Sequence, residues 1–268
     1  MKNPVIENFL KSQQEFITNW AESPKKVWEN NIYSKLKSVN KNIEPFLEYL
    51  PEPYLGNPYT SDGVFLNYNP GTVFKDDKRQ HKDVGWFIKE LNAIENYDNF
   101  ANKVPYFNGE NPFWSARKKF LSRILNKPLE ATSLFGLEIC PFHSSRFKLS
   151  IPDIKNLQTQ EYIENNVLKI AEEVAKNSTL KTIISVGKDY CHLFELLKYK
   201  KVKEIDQTLK TENWPKKSKI DTKIKRSFSL WESPTGGLYF NTWAQGSNNM
   251  SSKEFDKIIL ENKILEVL

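Results

Sequence analysis

Apolar positions along the chain recur at alternating helical and strand-like intervals. Residues 4–20 ("PVIENFLKSQQEFITNW") and about 25–50 carry them at helical spacing, and Pro51 and Pro53 close the second stretch. "GVFLNYN", 63–69, is a short apolar run of strand length, and "DVGWFIKELNAI" brings Val84, Phe87, Leu91 and Ile94 onto one helical face. "NPFWSARKKFLSRIL", 111–125, opens with Asn-Pro as helix cap and first residue, and Phe113, Phe120, Leu121 and Ile124 form its stripe. The strand "SLFGLEIC", 133–140, follows and is stopped by Pro141.

The alternation then repeats. Gln160 to Lys176 reads as a helix with Ile163, Val167, Ile170 and Val174 on one face, followed by the strand "LKTIISVG" and a helix over about 188–197. Residues 224–231 and 237–243 have strand character, and "SSKEFDKIILENKIL" closes the chain as a helix with Ser251 and Glu254 at capping-box spacing. This order predicts an α/β protein. The expected form is a three-layer α/β/α sandwich with a mainly parallel sheet of about four strands. A single domain, 1–268, is expected, with residues 1–53 as an N-terminal helical cap on an α/β core over 54–268.

Composition adds little until it is located. The net charge is +6, yet from Lys198 to Arg226 eleven cations face four acids, which concentrates +7 in one segment and leaves the rest at −1. Two readings of that segment stand: a solvated lysine-rich loop, or a surface that contacts the phosphates of a polyanion. Trp214 within it suits a nucleic-acid face or a loop anchor. No apolar run reaches membrane-spanning length, and the N-terminus lacks a signal-peptide core, so a soluble, cytoplasmic protein is expected. Cys140 and Cys191 are too few for a disulfide framework and share no metal-ligand spacing with His81, His143 and His192. Neither metal nor cofactor is expected.

In open α/β sheets the site lies beyond the carboxyl ends of the strands, so three loops matter most. The first is "NYNPGTV", where Pro70 fixes the turn and Gly71 admits close approach to the backbone; a plain turn uses the same residues. The second, "GLEICPFHSSRF", carries Glu138, His143, Ser144, Ser145 and Arg146. The third, "NTWAQGSNNMSS", is rich in amides and hydroxyls.

Taken in order, the three loops resemble the uracil-DNA glycosylase superfamily, above all its single-strand-selective monofunctional branch. Members of that family have a strand ending in Gly-x-Asn-Pro-Gly, matched here by "NYNPG", and a Phe-Trp helix leading to Asn-Leu-Cys-Pro, matched by "NPFWSARKKFL" and "LEICPF". A strand ending in "SVG" precedes a helix, and "WAQGSNNMSSKEF" stands where the family has its last loop. The resemblance runs from about Tyr54 to the C-terminus. It implies an enzyme that flips a nucleotide out of DNA and cleaves the bond between base and C1′, with DNA as partner and the monomer as working unit.

Residue by residue, the resemblance places Asn69 as the residue that orients the attacking water, Pro70 as the turn former and Gly71 where a bulkier side chain would exclude larger bases. An amide orients water but is no strong base, so slow turnover is expected. Phe74, Trp86 and Phe87 are the candidates for stacking on the base. Two positions depart from the family. Glu138 replaces an Asn that reads the uracil edge; an ionised carboxylate only accepts, leaving a buried carbonyl of uracil unpaired at about 1–3 kcal/mol. Glu138 is therefore held protonated, or reads a base that presents donors, or pairs with Arg146 or a nearby lysine outside any base pocket. Trp243 stands where the family has its catalytic His, and His143 is a substitute polar contact or a satisfied surface histidine. Gln245, Gly246, Ser247, Asn248 and Asn249 supply polar groups of the last loop, and Lys216, Lys217, Lys219 and Arg226 are the candidate contacts to the DNA backbone.

Overall fold

The structure, a computed structural model, describes residues 3–36, 51–68, 112–129, 133–143, 149, 151–210, 223–244 and 253–266. Helix α1 (Pro4–Glu22) starts where the Asn3 side chain accepts from the Val5 N–H and Pro4 supplies a fixed φ. Ile6, Phe9, Leu10, Ile17 and Trp20 are its buried positions. The second N-terminal helix is shorter than its sequence pattern predicts. Helix α2 (Pro24–Asn30) ends at Asn31, whose extended backbone (φ −74°, ψ 148°) leads into a single 3-10 turn, Ile32–Lys35. The Asn31 side chain caps that turn through the Tyr33 N–H, which offers the backbone an alternative to a continued helix.

The sheet departs from expectation in size and direction. It has seven strands: β1 (Tyr54–Leu55), β2 (Gly63–Asn67), β3 (Leu134–Glu138), β4 (Ile183–Val186), β5 (Lys200–Lys210), β6 (Lys223–Glu232) and β7 (Leu238–Ala244). Their order is β1-β3-β2-β4-β7-β6-β5. The four central strands are mutually parallel, while β1, β6 and β5 add antiparallel pairings at both sides, so the sheet is mixed rather than mainly parallel.

The helices that follow are α3 (Pro112–Leu125), α4 (Ile151–Ile154), α5 (Leu157–Ile163), α6 (Lys169–Ala175), α7 (Lys188–Leu196) and α8 (Lys253–Glu261). A π-helical segment, Glu164–Leu168, joins α5 to α6 without interrupting the rod. Residues 84–94, expected to be helical, lie outside the described residues.

Alternation along the strands sorts the core into two layers, one on each sheet face. Val64, Leu66, Phe135, Leu137, Ile183 and Tyr239 pack with α1, α5, α6 and α7. Phe65, Leu134, Ile184 and Phe240 pack with α3 and α8. Strand β2 is buried on both faces, which explains its unbroken apolar sequence.

The lysine-rich segment is largely strand. β5 and β6 form a long antiparallel pair with a bulge between Lys201 and Lys203, and β5 is the edge of the sheet. Part of its charge is matched locally: Lys200 meets Glu232, Lys201 meets Glu204, and Lys225 meets Asp206. The solvated-loop reading is thereby corrected for 200–210 and 223–226, while 211–222 lie outside the described residues.

Helix α3 sits close to the sheet because Gly136 has no side chain. A Cβ there would lie 2.2 Å from Cη2 of Trp114. Gly136→Ala should therefore lower unfolding stability by about 1–3 kcal/mol, the usual cost of overpacking a filled core. Denaturant titration checks this. Adding Trp114→Phe should recover part of the loss, and a double variant no better than the single one would contradict the packing account.

Candidate functional site

The carboxyl ends of β2 and β3 lie side by side, and the pairing continues past the strands. Asn67 is the register partner of Glu138. Beyond it, the Ile139 N–H donates to the Asn67 carbonyl at 2.8 Å and the Cys140 N–H to the Tyr68 carbonyl at 2.9 Å. The segment leading into "NPG" thus runs beside "ICPFH". From β4, Gly187 (φ +147°) turns the chain into α7, and its Cβ position lies 3.9 Å from the Tyr68 ring. The Gly187 N–H donates to Thr242 of β7, so four strand ends meet at one rim.

Side-chain parity places Asn67 and Glu138 on the α3 face, continuing the series Gly63-Phe65 and Leu134-Gly136. Both are nearly removed from solvent, at 4% and 5% exposure. Arg117, one turn after Trp114 on α3, is equally buried, and its guanidinium lies 5.8 Å from the Trp114 ring centre. This direction follows from the tilt of helical side chains toward the N-terminus.

Two ionisable side chains, Glu138 and Arg117, thereby share a dry region with the Asn67 amide. Burial pushes the Glu138 carboxyl well above its ordinary value; Glu52 adds to the rise, while the Arg117 charge and the Asn67 amide oppose it. Burial also draws Arg117 down to about 9, with Glu138 and Tyr190 holding it up. The Asn67 amide is near enough to act on Glu138, yet the approach falls outside hydrogen-bond geometry: Nδ2 and Oδ1 of Asn67 and Oε2 of Glu138 have no partner.

The surrounding groups are neutral. The Cys140 thiol and the phenols of Tyr68 and Tyr190 are pushed up by burial, and the two tyrosine rings stand 4.6 Å apart. None of these is an activated nucleophile. What the arrangement offers is donors and acceptors at a strand end, next to the buried cation of Arg117.

His143 is not the surface residue that its loop position predicts. It is 3% exposed, and Nε2 lies 3.1 Å from Oε1 of Glu52. Glu52 is brought there by its own N–H, which donates to the Pro141 carbonyl. Among the described residues, Arg117 is the cation acting on Glu138; Arg146, one of the partners considered from sequence, lies outside them. Trp243, near the end of β7, stacks under the Lys188 ammonium at 5.5 Å. Arg226 is buried rather than displayed: Nη1 donates to Thr242 Oγ1 at 3.4 Å, and burial draws its pKa down to about 10.

Asn69, Pro70, Gly71, Phe74, Trp86, Phe87, Lys216, Lys217, Lys219, Gln245, Gly246, Ser247 and Asn248 lie outside the described residues. Sequence reading missed Asn67 and Arg117. Asn67 carried a signal, a polar residue two positions after Phe65 on a buried strand. Arg117 carried one only as a cation at i+3 from Trp114 on an otherwise apolar helix face.

Among the described residues, no group of His, Cys, Asp and Glu could hold a metal ion, and no helix is long and apolar enough to cross a membrane. A concavity opens at the opposite strand ends around Glu172, but Thr235 and Tyr239 already occupy both of its carboxylate oxygens. Comparison of the chain with protein-family models, curated proteins and solved structures finds no match.

The raised Glu138 pKa has a definite sign for stability. Its folded value exceeds the ordinary 4.5, so the native state binds the proton more tightly. The stability this contributes is complete below about pH 4.5 and is lost as pH rises through the folded value. Glu138→Gln, which imitates the protonated form, should gain on the wild type by up to about 1.4 kcal/mol per pH unit above that point. Parallel stability profiles between about pH 5 and about pH 8 would contradict it.

Proposed function

We propose that this protein is a DNA glycosylase-like enzyme that hydrolyses the N-glycosidic bond of a flipped, damaged or modified base, without metal or cofactor and with specificity other than strict uracil. The carrying observation is the continued pairing of Asn67 and Tyr68 with the end of β3, through the Ile139 N–H to the Asn67 carbonyl and the Cys140 N–H to the Tyr68 carbonyl. It brings the residues that lead into two of the three loops of the family resemblance to one rim, beside the β4 and β7 ends. The four parallel strands, with helices packed on either face, support the corresponding sandwich architecture.

In this reading the sugar acquires oxocarbenium character while the base leaves as an anion. Asn69 positions a water below C1′; its oxygen bonds to C1′ as the C1′–N bond breaks, and the water proton passes to solvent or to the departing base. Glu138, neutral because it is buried, donates to a carbonyl of the leaving base, which an ionised carboxylate could not do. The Arg117 charge lies close enough to favour negative charge at the same place. The base-excision role, the monomeric working unit and the cytoplasmic setting form part of this proposal.

A second reading has its own observation. Trp243 stands in the position of a family histidine and already faces the Lys188 ammonium, which suits a protein that binds nucleic acid or a modified nucleotide without cleaving it.

Oligonucleotides carrying uracil, 5-hydroxymethyluracil, hypoxanthine or mismatched thymine, single- and double-stranded, separate the two. The glycosylase reading predicts alkali-labile abasic sites from at least one of them, and a drop of about 100-fold or more in Asn69→Ala. Salt-sensitive binding with no abasic product from any substrate would favour the second reading and remove the first.

A further inference from the structure

Buried polar atoms without partners are few in folded proteins, since each costs about 1–3 kcal/mol, and one end of this sheet holds three of them together. Asn67 Oδ1 is an acceptor, Asn67 Nδ2 a donor, and Glu138 Oε2 stands beside them on the neighbouring strand. Paired residues of adjacent strands stand about 4.8 Å apart, and both side chains leave the same face. The row therefore presents its polar groups in line, at roughly the span of one edge of a six-membered heterocycle.

The two elements that flank this row are rigid. The Asn67 carbonyl is fixed by the Ile139 N–H, and the Glu138 N–H donates to the Pro53 carbonyl at 3.1 Å, so neither backbone is free to turn its side chain elsewhere. Both residues are more than nine-tenths buried, which removes water as the ordinary partner of these atoms. An amide carboxyl-side pair of this kind matches a lactam: the ring N–H donates to Oδ1, and the ring carbonyl accepts from Nδ2. The polar group next to the lactam then meets Glu138 Oε2.

We propose that Asn67 is the specificity-determining residue of this site, engaging the N–H and C=O of a planar lactam ring in a bidentate pair while Glu138 bonds the adjoining ring substituent. The assignment rests on the glycosylase-like reading for its biological ligand, a nucleobase. It differs from that reading in moving the amide that reads the base from the end of β3 to the end of β2. The family's Asn is replaced at 138 by Glu, and the register partner of that position supplies an amide in its place.

The test uses the full chain and four free bases: uracil, hypoxanthine, 1,3-dimethyluracil and 1-methylhypoxanthine. In ligand-observed NMR and calorimetry, uracil and hypoxanthine should bind, and each N-methylated partner, which lacks the lactam N–H, should bind at least about tenfold more weakly. Because this comparison is made on the wild-type protein, it does not depend on any variant folding. Asn67→Asp, which keeps the shape and removes the donor, should lower affinity for uracil and hypoxanthine by a similar factor, with circular dichroism confirming the fold. Equal binding of methylated and unmethylated bases, no binding of any of the four, or unchanged affinity in folded Asn67→Asp would overturn the assignment. The two proposals also fail separately. Lactam-selective binding without abasic-site release leaves Asn67 standing and removes the glycosylase; abasic-site release at an unchanged rate in Asn67→Asp does the reverse.

Discussion

The parallel pairing of β2 with β3, carried past the strands to Tyr68 and Cys140, is the constraint on which the rest depends. It fixes Asn67 next to Glu138 and Tyr68 next to Cys140, and it does so through backbone hydrogen bonds that no side-chain change removes. Once that register is set, alternation decides the faces. Glu138 must leave on the side covered by α3, where the environment is dry and Arg117 is the neighbouring cation. A carboxylate in that position is expensive, and the molecule meets the expense by favouring the neutral form rather than by a surface ion pair.

Packing and electrostatics are coupled through one helix. Gly136 lets the Trp114 ring lie against the sheet, and the same approach brings the guanidinium of Arg117 within electrostatic reach of Glu138. The opposite face does a different job: α1, α6 and α7 bury an aromatic-rich layer that includes Tyr33, whose hydroxyl donates to the Ile139 carbonyl and so ties the N-terminal helices to the end of β3. The lysine-rich hairpin lies at the far edge of the sheet. Three of its cations, Lys200, Lys201 and Lys225, meet acids on the same two strands, at the modest energies typical of exposed pairs.

Most of the element order was legible in the sequence because the helices and buried strands have clean periods. The failures have identifiable causes. β5 was hidden because Lys and Glu occupy positions that a half-buried strand would fill with apolar residues, and the bulge near Val202 shifts what alternation remains. The helical pattern from about 25 breaks at Asn31 because a local side-chain cap, not a proline, ends α2, while 37–50 lie outside the described residues. His143 looked exposed because its loop is polar, but Glu52, almost a hundred residues earlier in the chain, folds over it. Glu138 was singled out by type alone; its partner Asn67 emerged only when register placed the two strands together. The second and third candidate loops were legible as composition, and their chemistry depends on contacts that composition does not encode.

The central claim is that a neutral carboxyl beside an unpaired amide forms the reading edge of this site. The most direct measurement is the carboxyl carbon chemical shift of Glu138 as a function of pH, assigned by its loss in Glu138→Gln. The account predicts a protonated shift that persists well above the ordinary carboxyl range and moves on addition of uracil. A titration at the usual value of about 4.5, unaffected by ligand, would contradict it.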